Sequence, residues 1–374
     1  MSQSHAEASS STHLQSNGHI TEDEASLYDR QIRLWGLEAQ NRMRSSTVLI
    51  LNLRGLAHET IKNLVLAGIG RLIVADDSEV SEEDLGTGFL FREEEGAVGQ
   101  NRTKAALPQI SSLNPLVSLT TLESLSPFVG GSESEIVNLL RKEKVDVVVA
   151  CDLPKTQLEI IDEASRKAGT MFYAAGTYGF YGYVFADLGE SYEYVYNQKP
   201  TPENPSPGLA KKTLSYSSFT QALSLTNWNQ PAKEAEAGGS PYRGLTKNET
   251  KNAAPGVILG LLSLWEYEQK NGNLPLGGEG QISDITEIAE RLRVELGVNP
   301  KVVPSVDKDM IEHLASHSTH FFPATLAVLG GLLAQDVLRA LSRKDRPIVN
   351  LLSVDTMGGV GVVGRWAMGD GVDA

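Results

Sequence analysis

The residues with the makings of a chemical site begin at Asn52-Leu53-Arg54-Gly55-Leu56-Ala57, which sits between an apolar run, Thr47 to Leu53, and a helical pattern, Arg54 to Ala67. Asp76 closes the next apolar run, Arg71 to Asp76. A strand, a glycine turn and a helix, with an acid at a strand end about 20 residues on, can seat a pyrophosphate on helix amides and a ribose on the carboxylate. The frame is present and its glycines are deficient. Asn52 stands where the tight-turn glycine belongs, Ala57 where the helix-packing glycine belongs, and Gly55 lies one position from the middle glycine. The asparagine side chain and the bulky Arg54 would crowd a phosphate that needs bare backbone amides. These residues therefore read as a nucleotide-type turn that binds a nucleotide poorly.

Four further residues bear on chemistry. Tyr28, Ile32, Trp35, Ala39 and Met43 recur at helical spacing, so a helix from Tyr28 through Met43 should pack on that face. Arg30 lies about 200° around the wheel from Tyr28 and Arg33 about 300° from Arg30, at roughly 100° per residue. Arg30 is thus either a solvated side chain or a cation offered to something outside the stripe. Asp152 follows the fourth apolar strand and reads as a helix N-cap before Pro154. Cys151 is the single cysteine, which excludes a disulfide and a CxxC zinc site. It lies in the apolar run VDVVVACD without an activating His or Arg, and is expected to be inert.

Behind these residues stands an alternation that demands a parallel sheet. Strands are expected at Thr47 to Leu53, Arg71 to Asp76, Val117 to Leu122, Val145 to Ala150 and Thr170 to Ala175. Helices fall between them at Arg54 to Ala67, Asn101 to Leu113 (with Pro108 as a kink or break), Glu133 to Lys142 and Lys155 to Ala168. From Tyr178 the chain reads GFYGYVFADLGESYEYVY, which suggests antiparallel strands. Asn197 to Pro207 and Ala232 to Ala254 read as loops or disordered insertions around a small segment at Phe219 to Trp228. Helical patterns resume at Gly256 to Lys270, Ser283 to Leu296, Lys308 to His317 and Phe322 to Leu341, and a hairpin of Val349 to Asp355 with Gly359 to Trp366 ends the pattern. Four parts follow: a disordered tail at 1–20, a first core part at 21–190, an insertion at 191–306, and a completing part at 307–374.

The whole chain, at 374 residues with 41% hydrophobic and 21% charged, has the composition of a globular protein. A net charge of -14 argues against nucleic acid or an anionic membrane as the main ligand. The N-terminal stretch lacks the apolar core of a signal peptide. The longest apolar stretch, Pro323 to Ala334, is about a dozen residues, too short to span a bilayer.

The string YDRQIRLWG, with GLEAQNRMR, KNLVLAG, VGQNR, SLNPLV, GFYGYVFADLGE and VLGGLLAQDVLRALSRKDRP in the same order, resembles the ubiquitin-activating enzyme family, in its heterodimeric SUMO-activating branch. The resemblance covers Tyr28 to Gly189 and Phe321 to Gly364, and is weak from Tyr192 to Val306. It implies a ThiF/MoeB-like adenylation fold: α/β, a Rossmann-like doubly wound, mostly parallel sheet extended by antiparallel strands, here as a pseudo-active half. Active members carry an asparagine and an arginine after the second strand, where this chain has Val80-Ser81-Glu82-Glu83-Asp84-Leu85-Gly86. Glu82, Glu83 and Asp84 would repel a phosphate there. Arg102 replaces a lysine, and Asp152 keeps the position of the magnesium-binding aspartate, so Asp76, Arg102 and Asp152 look like remnants of a site.

The resemblance further implies a smaller, non-catalytic subunit with no cofactor of its own. ATP, magnesium and the thioester-forming cysteine would belong to a larger catalytic subunit, and SUMO and a SUMO-conjugating enzyme would be reached through the complex. Arg30, or Arg33 in its stead, would reach in trans to the ATP phosphates of that partner. The location implied is nuclear, with or without a cytoplasmic pool. The alternatives are the corresponding subunit of the NEDD8-activating enzyme, expected to be much longer, and a homodimeric sulfur-carrier adenylyltransferase, which would need an intact glycine turn. A nicotinamide-dependent dehydrogenase shares the βαβ frame, but the eroded turn argues against it.

Overall fold

The computed structural model describes residues 21–200, 208–224, 228–231, 239–368 and 372–373. The tail at 1–20, and residues 201–207 and 232–238 of the two expected loops, lie outside them. Apolar runs give β1 (Thr47–Leu51), β2 (Arg71–Ala75), β3 (Ser118–Leu122), β4 (Val147–Cys151) and β5 (Met171–Tyr178). These five run parallel to their neighbours. There follow β6 (Tyr181–Asp187), β7 (Tyr192–Asn197), β8 (Leu209–Leu214), β9 (Leu351–Asp355), β10 (Val360–Gly364) and the short β11 (Val372–Asp373). The main sheet has the order β10-β9-β6-β5-β4-β1-β2-β3, and β11-β8-β7 form a separate small sheet. The β6, β9 and β10 pairings are antiparallel, so the main sheet is mixed.

Strand residues alternate between the two faces. Leu49, Leu51, Val148, Ala150 and Phe172 join one core, with the helices Glu133–Glu143, Lys155–Ala168, Gly256–Asn271, Glu279–Glu295 and Lys308–His317. Val48, Ile50, Val147, Val149 and Tyr173 join the other, with Leu37–Arg44, Gly55–Ala67, Arg102–Leu113 and Pro323–Ser342. Trp265, from the expected insertion, is buried against the same core as β4 to β6. The sequence turns from β1 outward to β2 and β3, then returns to place β4 on the other side of β1. In such sheets a ligand lies in the crevice at the carboxyl ends of the strands flanking that reversal.

Four expectations change. The helix expected from Tyr28 to Met43 is broken: Asp29–Trp35 ends at Gly36, whose φ of 90° and ψ of 158° lie outside helical space, and Leu37–Arg44 begins anew. Tyr28, Ala39 and Met43 are buried as the stripe required, whereas Ile32 and Trp35 are half-buried. The helix Arg102–Leu113 continues through Pro108 without ending there. Lys247–Ala253, inside a stretch read as loop, is a helix started by a Thr246–Glu249 capping box. Pro323–Ser342 has 20 residues and is long and apolar enough to cross a membrane by length and composition. Its Leu326, Leu329, Leu333 and Val337 are buried in the core at helical spacing, which accounts for that composition.

Candidate functional site

At the reversal between β1 and β4 the chain has filled the crevice with its own groups. Asn52 adopts φ 68°, the left-handed conformation that asparagine tolerates better than other side chains, so it serves as the tight-turn residue in place of glycine. Its Nδ2 donates to the carbonyls of Cys151 at 2.8 Å and Asp152 at 3.2 Å, stitching β1 to β4 across the position a nucleotide would enter. Two amides of the turn are also engaged. Leu53 N–H donates to Asp76 Oδ2 at 2.6 Å, and Arg54 N–H to the carbonyl of Asn52 at 3.0 Å.

Gly55 has a different task from cradling phosphate. A Cβ there would meet Leu326 Cδ1 at 2.5 Å and the Thr87 carbonyl oxygen at 2.7 Å, so the glycine is required for close helix contact.

Arg102 and Asp76 come together as the resemblance implied, but they face each other. Arg102 Nη1 lies 3.5 Å from Asp76 Oδ2, and its Nη2 and Nε grip Asp84 at 2.9 and 3.2 Å. All three side chains are buried. Glu82, Glu83 and Asp84 were expected to repel a ligand together; the structure separates them. Glu82 and Glu83 are exposed at the start of the short helix Glu82–Thr87, and Asp84 caps that helix on Ser81 while turning its carboxylate onto Arg102. Burial works to raise the Asp84 pKa, yet its hydrogen bond from the Ser81 amide and the Arg102 guanidinium hold it below the usual carboxylate value. Asp84 is therefore ionised at neutral pH, and Arg102 is committed to it rather than to a phosphate.

Asp152 is not an N-cap: the helix Lys155–Ala168 is preceded by Pro154, without a side-chain cap. Its Oδ1 accepts the Thr177 amide at 2.9 Å, and its Oδ2 is buried with no hydrogen-bond partner. Burial pushes its pKa up to about 6, against the pull of the Thr177 hydrogen bond and of Arg54. Among the described residues no group of three His, Cys, Asp or Glu could hold a metal ion. Cys151 is fully buried at the end of β4, and burial with the neighbouring Asp152 charge drives its thiol pKa well up, as an inert thiol requires.

What space remains is a cavity of about 210 Å³ lined by Asn52, Arg54, Arg102, Asp152, Tyr178 and Phe321. That is smaller than the roughly 300 Å³ at which small-molecule sites begin. Phe321 contributes a lid: its ring lies 5.1 Å from the Arg54 guanidinium. ATP does not fit these residues. The reading from sequence missed the Asn52 stitch and the Phe321 cover, because both depend on long-range contacts that no local pattern announces.

The two arginines of the first helices differ. Arg33 is exposed and paired with Asp29 at 3.0 Å. Arg30 is exposed and has no ion-pair partner among the described residues. One turn on, Leu34 is 76% exposed, so Arg30 and Leu34 share an outward face of the helix Asp29–Trp35. Leu66, Val328 and Leu332 are exposed on two other helices, Gly55–Ala67 and Pro323–Ser342. Leu66 lines a groove with Gln31, Trp35, Asn63, Gly331 and Gln335. Val328, Gly331, Leu332 and Gln335 repeat at three and four along one helix, so three helices present a continuous, partly apolar face.

A doubly wound sheet with antiparallel strands added beyond β5, and a nucleotide crevice at its reversal, is the adenylating architecture; the ThiF family model matches residues 28–361, and the chain belongs to the ThiF family. Within it, the chain is 35% identical over 357 residues to SUMO-activating enzyme subunit 1 of Rattus norvegicus, covering 92% of this chain and 95% of that one. To the Homo sapiens protein of the same name it is 32% identical over 357 residues, covering 93% and 97%. Among solved structures, Escherichia coli MccB with succinimide aligns at a TM-score of 0.52 and 13% identity over 91% of this chain and 72% of that one. Selenomethionine PaaA aligns at 0.51 and 14% over 96% and 79%. These two speak for the fold alone.

Proposed function

We propose that this chain is the non-catalytic subunit of a heterodimeric SUMO-activating enzyme. The observation that carries the proposal is the closed crevice: the Arg102–Asp84 pair and the Asn52 stitch occupy the nucleotide position, so adenylation has to take place on another chain of the same architecture. The near full-length similarity to proteins named SUMO-activating enzyme subunit 1 supports SUMO as the modifier. The larger subunit then supplies ATP, magnesium and the cysteine. There the SUMO C-terminal carboxylate attacks the α-phosphate of ATP, pyrophosphate leaves, and the partner's thiolate displaces AMP to give the thioester. This chain contributes the apolar face of Leu66, Val328 and Leu332 to the heterodimer. Arg30 is offered from that face to the charge that grows on the departing β- and γ-phosphates, where a guanidinium fixed in advance stabilises it without reorganisation.

The test is reconstitution. ATP–pyrophosphate exchange dependent on SUMO should require both subunits, and calorimetric titration of this chain alone with ATP and magnesium should give no heat of binding. SUMO-dependent exchange by this chain alone, or micromolar ATP affinity, would overturn the proposal.

A further inference from the structure

β10 is the last strand of the main sheet and has a strand neighbour on one side only. Edge strands usually carry a charge, a proline or a bulge that discourages a further strand. β10 reads Val-Gly-Val-Val-Gly, and its Val360 and Val363 are 45% and 49% exposed. Val360 pairs with Asp355 and Val362 with Ser353, so these four side chains share one face of the sheet, while Val363 lies on the other.

Each face leads into a cavity of its own. On the first, Val360 and Val362 border about 540 Å³ walled by Val257, Val303, Val306 and Met310, with Thr250 and Lys251 of the helix Lys247–Ala253 as part of the wall. On the second, Val363 borders about 520 Å³ shared with Arg339, Arg346 and Arg365. Arg339 leans on Asp336 at 3.8 Å, and Arg346 is exposed without an ion-pair partner among the described residues. In a chain of net charge -14, this cavity is lined by three arginines and no acidic residue, and Arg346 is the exposed one among them.

We propose that β10 accepts an extended peptide segment of a partner protein as an added strand, and that this segment alternates apolar with acidic side chains. Strand addition puts successive side chains of the guest on opposite faces. The apolar ones then enter the cavity between β10 and the inserted helices, and the acidic ones meet Arg346 and its neighbours, where carboxylate–guanidinium bonds fix the register. The main-chain bonds hold the guest, and the two unlike cavities select its sequence.

The probe is a fluorescein-labelled peptide of seven residues alternating isoleucine and glutamate, titrated with the full chain and followed by anisotropy. Saturable binding is expected, weakened about tenfold or more when lysine replaces glutamate in the peptide or when the chain carries Arg346→Glu. Arg346 is exposed, and circular dichroism checks that the variant is folded. Two N-methylated peptides complete the test, one methylated on the isoleucine amides and one on the glutamate amides. A strand turns alternate amides toward its neighbour, so one of the pair should bind about tenfold more weakly and the other as the parent does. No saturation, equal behaviour of the two methylated peptides, or indifference to Arg346→Glu would overturn the proposal.

Discussion

Arg30 and Arg33 stand on one short helix with different commitments, since Arg33 already holds Asp29 and Arg30 has no ion-pair partner among the described residues. In the assembled heterodimer Arg30→Ala should leave assembly intact on size exclusion and slow ATP–pyrophosphate exchange by about 10³-fold, or about 4 kcal/mol. Arg30→Lys should restore little, because a point charge on a flexible stem does not reproduce the planar fork. A larger defect for Arg33→Ala would transfer the role to that residue.

Asp152 makes a pH-dependent prediction. Its folded carboxyl titrates at about 6 against an ordinary 3.8, so between those values the folded state keeps a proton that the unfolded state has released. Stability contributed by this group therefore falls as pH rises through that window, and its charge costs up to about 3 kcal/mol above it. Asp152→Asn retains an acceptor for Thr177, and should gain on the parent in denaturant melts at about pH 7.5 and lose that advantage by about pH 4. A gap that does not change with pH would reject the account. Spacing pointed to Asp76, and the family resemblance to Arg102 and Asp152, as neighbours of one crevice, because strand ends converge in this architecture. The same reading misjudged Asp84, since whether a carboxylate repels a ligand or turns 18 positions along the chain to hold Arg102 depends on a tertiary contact.

The crossing of Gly55–Ala67 with Pro323–Ser342 is set by two glycines. Besides the contacts at Gly55, a Cβ on Gly330 would lie 2.5 Å from the Glu59 Cβ and 3.2 Å from the Leu56 carbonyl oxygen, while at Gly331 nothing lies within 4 Å. Gly55→Ala and Gly330→Ala should each lower stability by about 1–3 kcal/mol as the helices are pushed apart. Gly331→Ala should be neutral or raise it by up to about 1 kcal/mol through helix propensity. Thermal melts of the three variants decide, and equal effects at Gly330 and Gly331 would refute the packing account. Most elements were legible because their apolar periods are strong and their caps local. The break at Gly36 was not, since the stripe from Tyr28 to Met43 stays in phase across it. Nor was Lys247–Ala253, whose polar, turn-like composition conceals a helix begun by one capping box.

The molecule as a whole shows where it is incomplete: Leu34, Leu66, Val328 and Leu332 lie exposed on three helices that meet at one groove. Burying that face in a stable heterodimer should remove more than about 2,000 Å² from water. Leu332→Asp should leave this chain folded, because the side chain is outside the core, and abolish co-elution with the larger subunit. Co-elution at parental strength would show that the partner docks elsewhere. The crevice on the other side of β1 is closed by more than one feature. Asp84 and Arg102 pair out of water, so replacing Asp84 alone would strand a buried guanidinium, at a cost of about 3–5 kcal/mol. The Asn52 stitch and the Phe321 cover would have to open in addition. No single substitution therefore reopens the crevice to a nucleotide, because the buried pair, the stitch and the cover each hold it shut on their own.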